Sequence, residues 1–163
     1  MTQPRALTFN SPLETGVRAL AVLLAAHPRS FDLQRLMAFD HLVVHTGDIG
    51  GPESLHPKLP MRSAEILVRR RLVESGLMLM ASRGLVERIV DGRGIHYRAA
   101  ELAAPVMSSM TTPYFAALQR CAGWAVETFA SLDDTKFRVA MARFFDQWVE
   151  EFQAVQRSLA VDL

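Results

Sequence analysis

One cysteine, Cys121, stands among 163 residues. That excludes an internal disulfide and fits a reducing compartment. No apolar run approaches the ~18 residues of a membrane span, so no membrane contact is expected. The opening MTQPRALTFN lacks the basic and apolar regions of a secretory signal, and the expected location is cytoplasmic. Net charge is almost missing as well: 18 basic side chains face 17 acidic ones, for a formal +1. A dedicated nucleic-acid binder usually carries a larger basic excess, so a DNA contact would have to come from a local patch. The glycines of GDIGG follow a helical pattern with no Lys-Ser/Thr pair after them, which is neither a P-loop nor a dinucleotide fingerprint. No serine stands in a GxSxG elbow. These absences point away from an enzyme, with no catalytic residue, cofactor or metal expected.

What the chain does have is apolar bulk. Half of the residues are hydrophobic and 21% are charged, enough for one domain, or one small domain with a helical extension. Residues 1–10 look extended. Ser11, Pro12 and Glu14 then make a helix start: an N-cap, a proline at the first helical position and a capping-box glutamate. Leu13, Val17, Leu20 and Leu24 give this first helix a core stripe, and His27-Pro28 ends it. Ser30 or Asp32 can cap a second helix in which Leu33, Leu36, Met37, Val43 and Val44 share a face. Asp40 falls in the middle of that face, where a carboxylate must be paired or hydrogen-bonded.

A structured loop over residues 46–60 follows. Arg62 to Ser75 reads as a third helix stopped at Gly76, with a short helix from Leu77 to Ser82 after it. Leu85–Val90, the DGRG turn and Ile95–Ala99 make a hairpin over residues 85–99. The expected fold class is therefore mainly α with a small β-hairpin. Residues 11–100 would form a winged-helix-like domain, and residues 101–163 a C-terminal helical pair. In that last region Thr112-Pro113 caps one helix, carrying Tyr114, Leu118, Cys121, Ala125 and Phe129 on a stripe with Trp124 pointing elsewhere. The final helix, about Thr135 to Ala160, repeats Phe137, Met141, Phe144, Trp148 and Phe152 at steps of three and four. Phe145 and Val149 add a second strip, so this helix is expected either to pack on its own domain or to dock a partner as well.

The polar residues worth weighing cluster between Asp40 and Arg71. His41 and His45 lie one helical turn apart, with Asp48 and His56 in the loop. That spacing can supply metal ligands, yet the glutamate of an HExxH motif is absent and no cysteine is near. Hydrogen bonding at a helix end and within the loop is the reading for His41, His45 and Asp48, and packing within the loop, between Leu55 and Pro57, for His56. Asp40 is expected to pair with Arg70 or Arg71, joining the second and third helices under the loop. On the third helix Leu67, Val68 and Leu72 lie on one side, and Ile66 and Val73 almost opposite. Arg62, Ile66, Arg69 and Val73 would thus form an exposed arginine–aliphatic face suited to a partner protein or to DNA. Arg93 on the hairpin, with Trp124, Trp148 and Phe152 farther on, completes the candidate contact residues, and Arg88 and Arg98 could also touch a phosphate backbone.

The stretch LQRLMAFDHLVVHTGDIGGPESLHPKLPMRSAEILVRRRLVESGLMLMASRGLVER, then GIHYRA, and more weakly PYFAALQRCAGWAVETF, resembles the middle-component family of ABC three-component systems. These are bacterial anti-phage modules related to the Lamassu systems. Asp40, His45, Asp48, Gly51, Pro52, Ser54, Leu55, His56 and Pro57 match the family's motif. The resemblance implies a non-enzymatic adaptor that accompanies an SMC/Rad50-like ATPase and couples it to a separate effector, often a nuclease. A winged-helix regulator touching duplex DNA through the third helix and hairpin is the alternative.

Overall fold

The computed structural model describes residues 11–56, 63–144 and 157. Among these, α1 (Pro12–Ala26) is the central element, buried along almost its whole length from Thr15 to Leu23. Its run ALAVLLAA is apolar on every side, and a helix apolar all round belongs inside a fold. The Ser11 side chain caps it by accepting from the Glu14 N–H at 3.2 Å, with Pro12 in the first turn. A two-residue strand β1 (Phe31–Asp32) leads into α2 (Leu33–Val44), where Asp32 is the cap, accepting from the Arg35 N–H at 2.8 Å. A 3-10 turn over Thr46–Ile49 opens the loop. Then come α3 (Ser63–Ser82), the hairpin β2 (Val86–Asp91) and β3 (Gly94–Ala99), α4 (Ala103–Ser109), α5 (Pro113–Phe129) and α6 (Asp134–Phe144). The architecture is mainly α with a small antiparallel sheet, as expected.

The sheet holds one strand more than the sequence pattern suggests. Its order is β1-β3-β2, with Phe31 opposite Tyr97 and Asp32 opposite His96. Two residues are too few for an alternating pattern to register. The hairpin itself is in register from Val86–Ala99 to Asp91–Gly94, and the Asp91 side chain accepts from the Arg93 N–H at 2.9 Å across the turn.

The third helix corrects two expectations. It runs without a break through Gly76. This glycine is a point of close approach and not a stop: a Cβ there would fall 2.6 Å from the Gly16 nitrogen and 2.9 Å from the Pro12 oxygen. A Cβ on Gly16 would in turn lie 2.7 Å from the Gly76 oxygen. α1 and α3 therefore cross backbone to backbone at this glycine pair. The helix is also rotated relative to the sequence reading. Val73, expected on the exposed face, is 0% exposed and lines the core with Leu77 and Met80, while Leu72 is only half-buried and Arg71 exposed. Apolar residues on both sides of α3 leave its orientation undetermined by periodicity alone.

One core unites all of this. Leu20, Leu23, Leu36, Phe39, Leu77, Met107 and Leu118 are among its fully buried side chains. Phe137 of α6 joins by packing on Phe39, with ring centroids 5.6 Å apart. Arg35 ties the α5–α6 turn to α2, donating to the Leu132 oxygen at 2.6 Å and the Ala130 oxygen at 3.3 Å. It also pairs with Asp134 and lies over the Phe137 ring at 4.6 Å.

Because neither backbone at the α1–α3 crossing can yield by a rotamer change, Gly76→Ala should destabilise the fold by roughly 1–3 kcal/mol in chemical denaturation. Gly123→Ala, in α5 with no atom near its would-be Cβ, should stabilise it by about 0.5–1 kcal/mol. Equal effects at the two sites would contradict the crossing.

Candidate functional site

Three helices meet at Asp40. On α2 it follows Phe39 and precedes His41, and it sits on the inward side one turn past Leu36, so its carboxylate is carried into the core at 2% side-chain exposure. Its partners are Arg18 of α1 and Arg69 of α3. Arg18 Nε donates to Oδ1 at 2.7 Å and Nη2 to Oδ2 at 3.4 Å, and Arg69 Nη1 donates to Oδ2 at 2.5 Å. The expected pairing of Asp40 with Arg70 or Arg71 is thus incorrect. Arg70 reaches Glu74 one turn along its own helix at 3.5 Å, and Arg71 is exposed. The rotation that buries Val73 also swings Arg69, one turn earlier, inward. Arg69 is for the same reason an internal residue and not the outward contact expected of it.

Arg18 is the partner that sequence reasoning missed. It lies in the run GVRALAVLL, and its one signal is a charge inside a helix that is otherwise apolar all round. It is as buried as Asp40, with 3% side-chain exposure, and Thr15 accepts a further hydrogen bond from it at 3.4 Å. Burial alone would raise the Asp40 carboxyl, but the charges of Arg18 and Arg69 and the Arg18 hydrogen bond outweigh it and hold the group below its usual range. Burial alone would likewise lower Arg18, and Asp40 more than compensates.

Around this group lie the histidines. The His41 and His45 rings sit 4.7 Å apart between centroids. Burial, then the Arg69 charge, presses His41 down to about 3. Burial, then the Arg18 charge, presses His56 down to about 4, and burial lowers His45 as well. All three are neutral near pH 7. His45 Nδ1 is 3.9 Å from Asp48 Oδ2, too long for a hydrogen bond. His56 Nε2 stands 3.5 Å from the Tyr114 hydroxyl of α5. Among the described residues no group of three His, Cys, Asp or Glu side chains is placed to hold a metal ion.

The loop closes over the cluster. The Leu55 and His56 N–H groups both donate to the Val44 oxygen at 3.1 Å, and the Thr46 hydroxyl donates to the Pro52 oxygen at 2.8 Å. Gly47 N–H donates to Ser54 Oγ at 2.9 Å. The two central glycines have separate reasons. Gly50 has φ +86°, and Gly51 lies against Trp124, where a Cβ would come within 2.7 Å of the indole. Trp124, expected as an outward contact, therefore holds the loop, half-buried and edge-on to Phe129. Cys121 lies beneath the loop with its Sγ 3.4 Å from the Thr46 hydroxyl. Arg93 is exposed on the hairpin, pairing with Asp91 at 3.2 Å. Arg62, Trp148 and Phe152, and the side chain of Ile66, lie outside the described residues.

A closed ion group with neutral imidazoles around it makes two predictions. Asp40→Ala leaves two guanidinium groups without their carboxylate and should cost about 3–5 kcal/mol in denaturant unfolding. Arg70→Ala, which removes only a partly exposed pair along one helix, should change stability by under about 0.5 kcal/mol. The pH dependence follows from His41. Its folded value lies below the ordinary 6.5, so the unfolded chain takes up a proton that the folded protein refuses. Stability is then undiminished above pH 6.5 and is lost as pH falls from there toward about 3. The slope is up to ~1.4 kcal/mol per pH unit. Asp40 works in the same direction but lower, below its ordinary 3.8. His41→Gln should reduce the slope of the upper part of this acid limb, leaving the share of His45 and His56, which burial also lowers, and the lower part set by Asp40, as read from denaturation midpoints across pH.

No curated protein and no solved structure matches the chain. The profile of one family, described as ABC-three component (ABC-3C) system Middle Component 2, matches residues 8–151. That span contains α1 to α6, the ion group and the loop, and the chain belongs to this family of middle components.

Proposed function

We propose that this chain is a non-enzymatic adaptor of a bacterial anti-phage defence complex, binding an SMC/Rad50-like ATPase and coupling it to a separate effector such as a nuclease. Membership in a middle-component family carries the reading. The site supports it physically. Of the polar groups that read as chemistry in the sequence, Asp40 holds α1, α2 and α3 together through Arg18 and Arg69, and His41, His45 and His56 lie around it with their charge suppressed by burial. They stand buried or half-buried and uncharged or paired.

The fold supports an architecture as well as a role. The order α1-β1-α2-α3-β2-β3, with β1 beside β3, fits a winged helix with the hairpin as its wing. In a DNA reader of this shape the third helix shows base-contacting polar residues and basic residues to the duplex. The described outer face of α3 instead carries Arg71, Ser75 and Met78, the last 71% exposed. Glu74 borders this face and pairs with Arg70. A carboxylate at that border disfavours phosphate, and an exposed methionine suits a protein surface. At the wing tip the cross-strand neighbours Val90 and Ile95 are exposed together. These features favour the adaptor over the DNA-binding regulator.

Co-expression with the other components of its system tests the reading. The chain should co-purify with the ATPase, and the complex should persist as salt is raised, because apolar contacts resist screening. An isolated monodisperse chain that neither component joins, or salt-sensitive duplex binding by the chain alone, would overturn the reading.

A further inference from the structure

Away from the ion cluster, the outer face of the sheet forms the floor of an open cleft of about 910 Å³. Ile89 and His96, directly opposed on β2 and β3, lie in that floor. The segment of residues 28–32 borders one side, and the α5–α6 turn at Ala130, Leu132 and Asp134 borders another. The floor is held rigid by a line of hydrogen bonds. Ser30 Oγ lies 2.7 Å from His96 Nδ1, and His96 Nε2 lies 2.8 Å from Asp91 Oδ2. Hydrogen bonds from the Arg93 backbone N–H, from His96 and from the Arg93 side chain keep Asp91 ionised, well below the usual carboxylate range.

The rim is rich in arginine. Arg29, Arg35, Arg93 and Arg98 all line the cleft. Arg35 is occupied by the α5–α6 turn, as described, and Arg98 by Glu87 at 2.6 Å. Arg29 is exposed and makes no ion pair among the described residues, and the Arg93 side chain remains 74% exposed despite its contact with Asp91. Arg29, and the part of the Arg93 guanidinium not held by Asp91 and His96, thus remain open to an incoming anion on two separate segments of the rim, above a floor that includes the apolar Ile89.

We infer that this cleft receives an acidic, partly apolar segment of the partner component, with Arg29 and Arg93 taking its carboxylates. The inference rests on the adaptor reading and adds to it the site and the recognition chemistry. The fixed carboxylates within the cleft decide between an acidic peptide and a nucleic-acid backbone. Asp32, Asp91 and Asp134 line the same walls. They would repel a continuous row of phosphates, whereas separate carboxylates on a peptide can meet the arginines and avoid the aspartates. A guanidinium fork matches a carboxylate in two parallel hydrogen bonds, and charges at an open rim act mainly on the rate of encounter.

The test is the full chain carrying Arg29→Glu together with Arg93→Glu, compared with the unchanged chain in binding the ATPase and the effector of its own system. Thermal unfolding confirms that the variant folds, since both side chains are exposed. The expected result is an association rate with one component lowered about tenfold or more, and a salt dependence of that rate flattened relative to the unchanged chain. Arg29→Lys with Arg93→Lys should recover most of the rate. If the unchanged chain assembles and the charge-reversed chain assembles equally fast, the cleft is not the docking site while the adaptor reading stands. If the unchanged chain joins neither component, the adaptor reading itself fails. Loss of binding to a short duplex DNA with assembly unaffected would assign the cleft to phosphate and overturn the inference, as would a change confined to self-association in sedimentation.

Discussion

The contact of Asp40 with Arg18 and Arg69 is the constraint on which the arrangement of the first three helices depends. Removing a carboxylate and two guanidinium groups from water costs free energy that is offset only where every partner is in place. Here the partners come from α1, α2 and α3, one from each. A sliding of any helix by one turn would strand a charge in the core. The Gly16–Gly76 crossing acts beside it on the same pair of helices, permitting the backbones of α1 and α3 to approach closely enough for Arg18 and Arg69 to share one carboxylate. Close approach and ion pairing therefore reinforce each other: the first sets a distance, the second a register.

The same group explains the histidines and the loop. Two arginines against one aspartate leave local positive charge, and an additional imidazolium would be repelled as well as desolvated. Burial first and the arginine charges next account for His41 and His56 titrating far below their ordinary range. The loop supplies the cover that keeps this pocket of charge from water, and its glycines, Thr46 and Ser54 serve that closure. Trp124 presses on it from α5 and Cys121 lies beneath it, so the C-terminal helices take part in sealing a site built by the first three.

Much of this can be read from the chain. Ser11 with Pro12, Ser30 or Asp32, and Thr112 with Pro113 announce helix starts through capping chemistry that needs only local residues, and the structure has a cap at each start, with Asp32 the one used at the second. The DGRG turn likewise declares its hairpin. Asp40 stands out because a carboxylate within an apolar stripe demands a partner. Its partner does not stand out, because any of several arginines at a suitable distance satisfies the same demand. The choice depends on how α3 is rotated, and α3 is apolar on two sides. Gly76 misleads for a related reason: a glycine that ends a helix and a glycine that lets another backbone approach look alike until the second helix is known. The strand β1 exists through its pairing with β3, not through any pattern of its own.

The arginine-lined cleft is illegible for a deeper reason. Its walls come from three segments far apart in the chain, at residues 28–35, 89–98 and 130–134, and no short motif can encode such a meeting. Arg35 makes the meeting permanent, since its hydrogen bonds to the Ala130 and Leu132 oxygens bring the α5–α6 turn against the start of α2. Ser30 and His96 do the same for the hairpin. The hairpin and the α5–α6 turn are thus tied by polar contacts to the stretch that joins α1 to α2 and opens α2. That stretch leads in turn to the helices bound by Asp40. The cleft is thus joined to the ion group through packed and hydrogen-bonded elements. For the adaptor role proposed above, this continuity would matter more than any single reactive side chain.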